Sequence, residues 1–143
     1  MMLSELLTEI PQGAGNVSLP MMLHPYLSEI AALYTLQGMP LTNSQTIAML
    51  IANYDGIAPD HHIIKQLKAA SAGKKFVVRL PKMASAKIKL LLERNKETER
   101  FSINNVISSL IYLYYIHSVV PHIQNDYSTY KQILKYAKEL END

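Results

Sequence analysis

Basic side chains, each able to donate several hydrogen bonds, are concentrated in and just after the stretch KKFVVRLP, residues 74–81. Residues 1–73 contain two lysines and no arginine against five acids, whereas residues 74–143 contain twelve basic residues against seven acids. Lys74, Lys75 and Arg79 lie within the stretch, and Lys82 follows it. This asymmetry indicates either a half that faces a polyanion or an ordinary solvated charged face.

The residue patterns do not indicate catalysis. The chain contains no Cys, which excludes a disulfide, a thiol nucleophile and a thiolate-bound metal. No glycine-rich phosphate loop and no nucleophile motif occurs. His61 and His62 are adjacent and so cannot share one helix face as a metal pair would. We therefore expect a protein that is not an enzyme and that uses no metal, no cofactor and no small-molecule substrate.

The basic stretch has the alternation of a β-strand. Phe76, Val78 and Leu80 would share one face, and Lys75, Val77 and Arg79 the other. A single strand is unstable because its backbone N–H and C=O groups need partners. The partner predicted here is GNVSLP, residues 15–20, in which Val17 and Leu19 would face inward and Asn16 and Ser18 outward.

The elements that position these side chains occur twice along the chain. Asn16–Tyr54 and Val77–Tyr115 each begin with an apolar–polar–Leu–Pro tetrad, at an offset of 61 residues. Each continues with a helix-period stretch, a polar break with N-cap residues and a long apolar helix. A proline, Pro59 or Pro121, follows each copy, and a polar helical stretch follows each proline. The pattern predicts two strand–helix–helix repeats with boundaries at 1–72 and 73–143, each carrying an extra helix.

The stretches KFVVRLP and FSINNVISSLIYLYY, with their counterparts in the first copy, resemble the ribbon–helix–helix family of Arc and MetJ type. Val77 departs from the resemblance, because it stands where that family usually has a polar residue. The resemblance implies a mainly α fold with a two-stranded antiparallel β-ribbon, here formed by tandem repeats as an intramolecular pseudo-dimer. It also implies that the ribbon enters the major groove of double-stranded DNA, a groove that admits such ribbons.

The resemblance and the residue chemistry assign expected roles to individual side chains. Base reading is expected from Asn16, Ser18, Lys75, Val77 and Arg79. Phosphate contacts are expected near the starts of the second helices and in the basic stretch, where helix N-termini and cations favour anions. These residues are Thr42, Asn43, Ser44, Lys74, Lys82, Ser102, Ile103 and Asn104. The first strand has no basic outward residue, so the second repeat should supply most of the affinity.

The expected function is sequence-specific DNA binding by a transcriptional regulator, most simply a repressor, whose chains could associate along DNA. Two alternatives remain open: a DNA-bending accessory protein of a conjugative relaxosome, and an antitoxin-like adaptor that binds protein and not DNA. The longest apolar run, interrupted by Ser and His, is shorter than the ~20 residues of a membrane-spanning helix. We therefore expect no membrane association and a cytoplasmic location, in the host cell if the protein is viral.

Overall fold

The computed structural model describes residues 16–53, 60–80 and 103–141, and these ranges form two strands and six helices. In chain order the elements are β1 (Asn16–Pro20), α1 (Leu23–Leu36), α2 (Asn43–Ala52), α3 (His61–Ala70), β2 (Lys75–Arg79), α4 (Ile103–Ser118), α5 (Val120–Asn125) and α6 (Tyr127–Glu141). The prediction of a mainly helical chain with a two-stranded antiparallel ribbon is confirmed.

The ribbon joins two segments that lie far apart in the sequence. β1 pairs antiparallel with β2 in a register that runs from Asn16 opposite Arg79 to Pro20 opposite Lys75. Its inner face carries Val17, Leu19 and Val78, which are buried against the helices. Burial of alternate residues fixes the register, because a slip by one residue would expose every apolar side chain of that face.

Helix α1 lies at the centre of the core and packs against α6, α4, α2 and β1. Leu23, Leu27 and Ile30 repeat at helical spacing and are fully buried. Helices α2 and α4 also contact each other and bury Ile47, Ile51, Ile107 and Ile111. These positions belong to helix-period stretches identified in the sequence; the corresponding stretch after β2 lies outside the described residues.

A tight turn connects α3 to β2 and fastens both to the end of β1. The Ser71 hydroxyl donates to the Leu67 carbonyl at 2.8 Å and accepts from the Met22 N–H at 2.9 Å. The Met21 N–H donates to the Lys74 carbonyl at 2.9 Å. Ala72 and Gly73 complete the turn at φ of 52° and 74°. The predicted boundary at residues 72–73 falls in this turn.

After α4 the chain forms two helices, α5 and α6, whereas the sequence pattern predicts a single extra helix. Pro121 occupies one of the first two positions of the short helix α5, where its missing N–H costs no intrahelical hydrogen bond. Asp126 then starts a separate helix, because its carboxylate accepts from the Thr129 hydroxyl at 2.7 Å and from the Thr129 N–H at 3.4 Å. Among the described residues, two helices, α5 and α6, therefore follow α4, whereas one, α3, follows α2.

Within the described ranges, one helical segment, Ile103–Asn125, has the length and apolar composition to cross a membrane. It is longer than the apolar run considered from the sequence because helix continues through α5. Val106, Ile107 and Ile111 of this segment belong to the hydrophobic core, and core helices of soluble proteins meet the same two criteria. The segment is accordingly weak evidence for a membrane.

Candidate functional site

The outer face of the ribbon consists of three cross-strand pairs: Asn16 with Arg79, Ser18 with Val77, and Pro20 with Lys75. Asn16, Lys75, Val77 and Arg79 are exposed, and Ser18 is half-buried. Val77 is 63 % exposed, an unusual position for a β-branched apolar side chain. The structure thus brings all five predicted base-reading residues onto one surface. Pro20, which the prediction omitted, shares the face but is buried.

This outer face is narrow and carries hydrogen-bond donors at both ends. Five residues of strand extend about 17 Å, and two paired strands lie about 5 Å apart. Directly opposite side chains have Cβ atoms about 5 Å apart, so the Arg79 guanidinium and the Asn16 amide present their donors close together. Lys75 adds a third donor at the other end.

The start of α2 lies at the Asn16–Arg79 end of the ribbon. Thr42 caps the helix: its hydroxyl accepts from the Gln45 N–H at 3.1 Å, and the Gln45 side chain accepts from the Thr42 N–H at 2.9 Å. The Ser44 hydroxyl donates a 2.6 Å hydrogen bond to the Arg79 carbonyl. Of the predicted phosphate contacts here, the Thr42 and Ser44 side chains are therefore engaged within the protein.

The backbone at the start of α2 retains donors. No hydrogen bond among the described residues uses the N–H of Asn43 or Ser44. The Asn43 Nδ2 lies 3.5 Å from the Ser28 hydroxyl, and its Oδ1 is buried without a partner. At this end, a phosphate would be bound by main-chain N–H groups more readily than by the Thr42 and Ser44 hydroxyls.

The start of α4 lies at the opposite, Pro20–Lys75 end. Ile103 and Asn104 open the helix, and the Ser108 hydroxyl donates to the Asn104 carbonyl at 2.7 Å. Asn104 and Ser108 line a cavity of about 120 Å³ together with Ser18 and Pro20 of β1, and with Lys74 and Lys75 at the start of β2. Lys82 and Ser102, also predicted as phosphate contacts, lie outside the described residues.

Lys68 is a site residue that the sequence patterns did not identify. It belongs to α3, which the sequence indicated only as a connecting helix, and it lines the same cavity. Its position on the helix, three residues before the turn, does not by itself reveal that the turn folds back onto the ribbon. The long-range hydrogen bonds of Met21 and Met22 create that proximity.

A second group missed from the sequence is a buried carboxylate, Glu29, which is 6 % exposed in the middle of α1. The hydroxyls of Tyr115 (α4) and Tyr130 (α6) donate to its Oε1 at 3.0 Å and 2.6 Å. Burial, with the hydrogen bond to Glu29, raises the pKa of Tyr130 to about 12. Burial and contact with Tyr130 and Glu29 also raise the pKa of Tyr115. The arrangement joins α1, α4 and α6 through hydrogen bonds.

His61 and His62 lie together at the start of a helix. His61 and His62 are exposed at the start of α3, where the Asp60 carboxylate caps the helix by accepting from the His62 and Ile63 N–H groups at 2.9 and 3.3 Å. Within the ranges that the structure describes, no group of three or more His, Cys, Asp or Glu side chains could hold a metal.

Comparison with protein-family models, with curated proteins and with solved structures gave no match.

Proposed function

We propose that the chain is a tandem ribbon–helix–helix protein that binds double-stranded DNA through the outer face of its ribbon, as a transcriptional regulator and most simply a repressor. The observation that carries the proposal is the joint exposure of Asn16, Lys75, Val77 and Arg79 on one face of an antiparallel ribbon. Val17, Leu19 and Val78 of the opposite face pack on the core. The exposed side chains therefore have no role in the core.

The pseudo-dimer is supported by how each helix start meets the strand of the other repeat. The α2 start, from the first repeat, bonds to β2 through Ser44 and Arg79. The α4 start, from the second repeat, lies beside β1 at Ser18. Such reciprocal exchange is what two intertwined copies related by a twofold axis would produce.

Each exposed residue has a chemical role in this proposal. The Arg79 guanidinium would read a guanine edge and Asn16 an adenine edge, because each offers a bidentate pattern that matches that base. Val77, at the centre of the face, would contact a thymine methyl group. Lys75 would read a base edge at the other end of the face, and Lys74 beside it would bind a phosphate and supply salt-sensitive affinity. DNA binding of this kind places the chain inside a cell.

A second candidate is a protein-interaction adaptor. It is favoured by the outer face of β1, where Asn16 and Ser18 are uncharged and Pro20 is buried. An adaptor would use the exposed Val77 as an apolar contact and would show no salt-dependent binding to duplex DNA. A relaxosome accessory role shares the DNA surface and differs in bending the duplex, which circular-permutation gel assays detect.

The test is gel retardation with duplexes that the wild-type chain selects from a random-sequence library. Lys75→Ala with Arg79→Ala should lose about 1–3 kcal/mol of discrimination for each bidentate contact removed. Lys65→Ala with Lys135→Ala is the matched control, because these exposed lysines of α3 and α6 lie off the ribbon and remove the same charge.

The double ribbon variant should retain the wild-type circular dichroism spectrum, since both side chains are exposed. Two outcomes would rule out the ribbon as the reading surface. One is that the wild-type chain enriches no sequence from the library. The other is that the Lys75 and Arg79 double variant gives the same footprint as wild type.

A further inference from the structure

The cavity at the Pro20–Lys75 end of the ribbon has an unusual concentration of positive charge. Three lysines line it: Lys68 of α3, Lys74 of the turn that follows, and Lys75, the first residue of β2. No Asp or Glu is among its lining residues. Among the described residues, no carboxylate forms an ion pair with any of the three lysines. Ammonium groups gathered in this way repel one another, and an anion between them relieves that repulsion.

The turn that holds the lysines is rigidly attached to the ribbon. Ser71 bridges the Leu67 carbonyl and the Met22 N–H, and the Lys74 carbonyl accepts from the Met21 N–H. Lys68 lies three residues before Ser71, and Lys74 lies three residues after it. The backbone positions from which the Lys68 and Lys74 side chains start are therefore held relative to the ribbon, and both residues line the cavity.

The size and polarity of the cavity limit the ligand. Its volume is about 120 Å³, well above the ~10–15 Å³ that one water molecule requires and well below the ~300 Å³ of the smallest typical drug-sized pockets. The lining adds hydrogen-bonding groups from Ser18 and Asn104 to the three lysines. A small tetrahedral oxyanion meets these conditions.

The other end of the ribbon offers no matching cationic set within the described residues. Arg79 is exposed there, but the Ser44 hydroxyl is bonded to the Arg79 carbonyl and Thr42 is engaged in its capping box. Among the described residues, the two ends therefore differ in the charge they can present to a bound duplex. The difference arises from α3, which lies outside the strand–helix–helix part of the first repeat.

We propose that this cavity binds one phosphate group, and that Lys68 of α3 is a phosphate ligand together with Lys74. The source we assign is a backbone phosphate of the duplex at the Lys75 end, an assignment that rests on the proposed DNA binding. The consequence is an asymmetric footprint on the duplex. The three-lysine site anchors one end of the ribbon, and the protein therefore binds its DNA sequence in one preferred orientation.

The first arm of the test measures the salt dependence of duplex affinity for full-length chains by fluorescence anisotropy. Lys68→Gln should reduce the slope of log K against log salt by about 0.9, the value for one lost phosphate contact, and should leave the preferred base sequence unchanged. Lys65→Gln, on the same helix but off the cavity, should leave the slope unchanged. A Lys68→Gln slope equal to that of wild type, with duplex binding intact, overturns the cavity assignment and leaves the ribbon proposal standing.

The second arm titrates inorganic phosphate against the protein and follows backbone amide shifts by NMR. Saturable shifts at Lys74, Ser18 and Asn104, absent in Lys68→Gln, support a phosphate site. If they occur in a chain that binds no duplex, the phosphate source is a free anion and the proposed function fails while the site stands. If neither phosphate nor duplex perturbs these amides, the cavity proposal is overturned.

Discussion

Glu29 shows how one residue can hold three helices together. Its carboxylate lies on α1 and accepts hydrogen bonds from Tyr115 of α4 and Tyr130 of α6, while the Tyr26 ring stacks on Tyr115 with centroids 3.9 Å apart. Buried hydrogen-bonding groups are costly to leave without partners. The sequence placed Glu29 in a helical stretch but could not reveal its burial, because its partners lie 86 and 101 residues away.

Glu29→Ala should destabilise the protein by about 1–3 kcal/mol, because it leaves two tyrosine hydroxyls without their acceptor. Tyr130→Phe should cost less, about 1 kcal/mol, since it removes one donor and keeps the ring. Urea denaturation measures both. Tyr127→Phe is the matched control, because that tyrosine is 54 % exposed. Equal stability of Glu29→Ala and wild type would show that the cluster contributes nothing net.

The turn between α3 and β2 is the element on which the candidate site depends. Ala72 has φ of 52° and Gly73 has φ of 74°, both in the left-handed region. Glycine adopts this conformation without the clash that a Cβ atom causes. The sequence contains one glycine here and gave no sign that the preceding alanine shares the conformation. The caps at Asp60 and Thr42, by contrast, have the residue types that predict helix starts.

Ala72→Gly should change stability by less than about 1 kcal/mol in either direction, because relief of strain offsets the greater flexibility of glycine in the unfolded chain. Gly73→Ala should destabilise the protein by about 1 kcal/mol, because a Cβ atom is strained at this left-handed φ. Steric clash with neighbouring atoms does not contribute to the effect of Gly73→Ala, since a Cβ atom at Gly73 would meet nothing within 4 Å. Thermal unfolding compares the two variants. A more stable Gly73→Ala would contradict the left-handed geometry of the turn.

At the scale of the whole molecule, the hydrogen-bonded tyrosines predict an alkaline limit to stability. The folded-state pKa of Tyr130 is about 12, above the ordinary value of 10.0, and that of Tyr115 is also raised. The folded protein therefore keeps protons that the unfolded chain loses first. The stability from these groups is fully present below about pH 10 and is lost as pH rises from about 10 towards 12.

Urea unfolding between pH 9 and pH 12, with tyrosinate absorbance followed in parallel, checks this prediction. Wild type should lose stability more steeply with pH than Tyr130→Phe, which lacks one of the shifted groups and also controls for lysine titration. Parallel stability curves for the two chains would contradict it.

The amino-acid sequence determined the local features on which the fold is built. The alternation of Lys75 to Arg79 specifies a strand with one apolar face, the spacing of Leu23, Leu27 and Ile30 specifies a buried helix stripe, and the repeated order of elements indicates the partner strand. These features are readable because they depend on periodicity over a few residues. The ribbon and its outer face followed from them.

Tertiary structure alone decided what lies beside the ribbon. The position of Lys68 at the cavity, the bonding of the Ser44 hydroxyl to the Arg79 carbonyl and the burial of Glu29 under two tyrosines each join residues from different elements. No local pattern encodes these contacts, because they arise when helices pack and bring distant side chains together. The sequence thus specified the exposed outer face of the ribbon, and packing determined that Lys68 joins Lys74 and Lys75 around a cavity at one end of it.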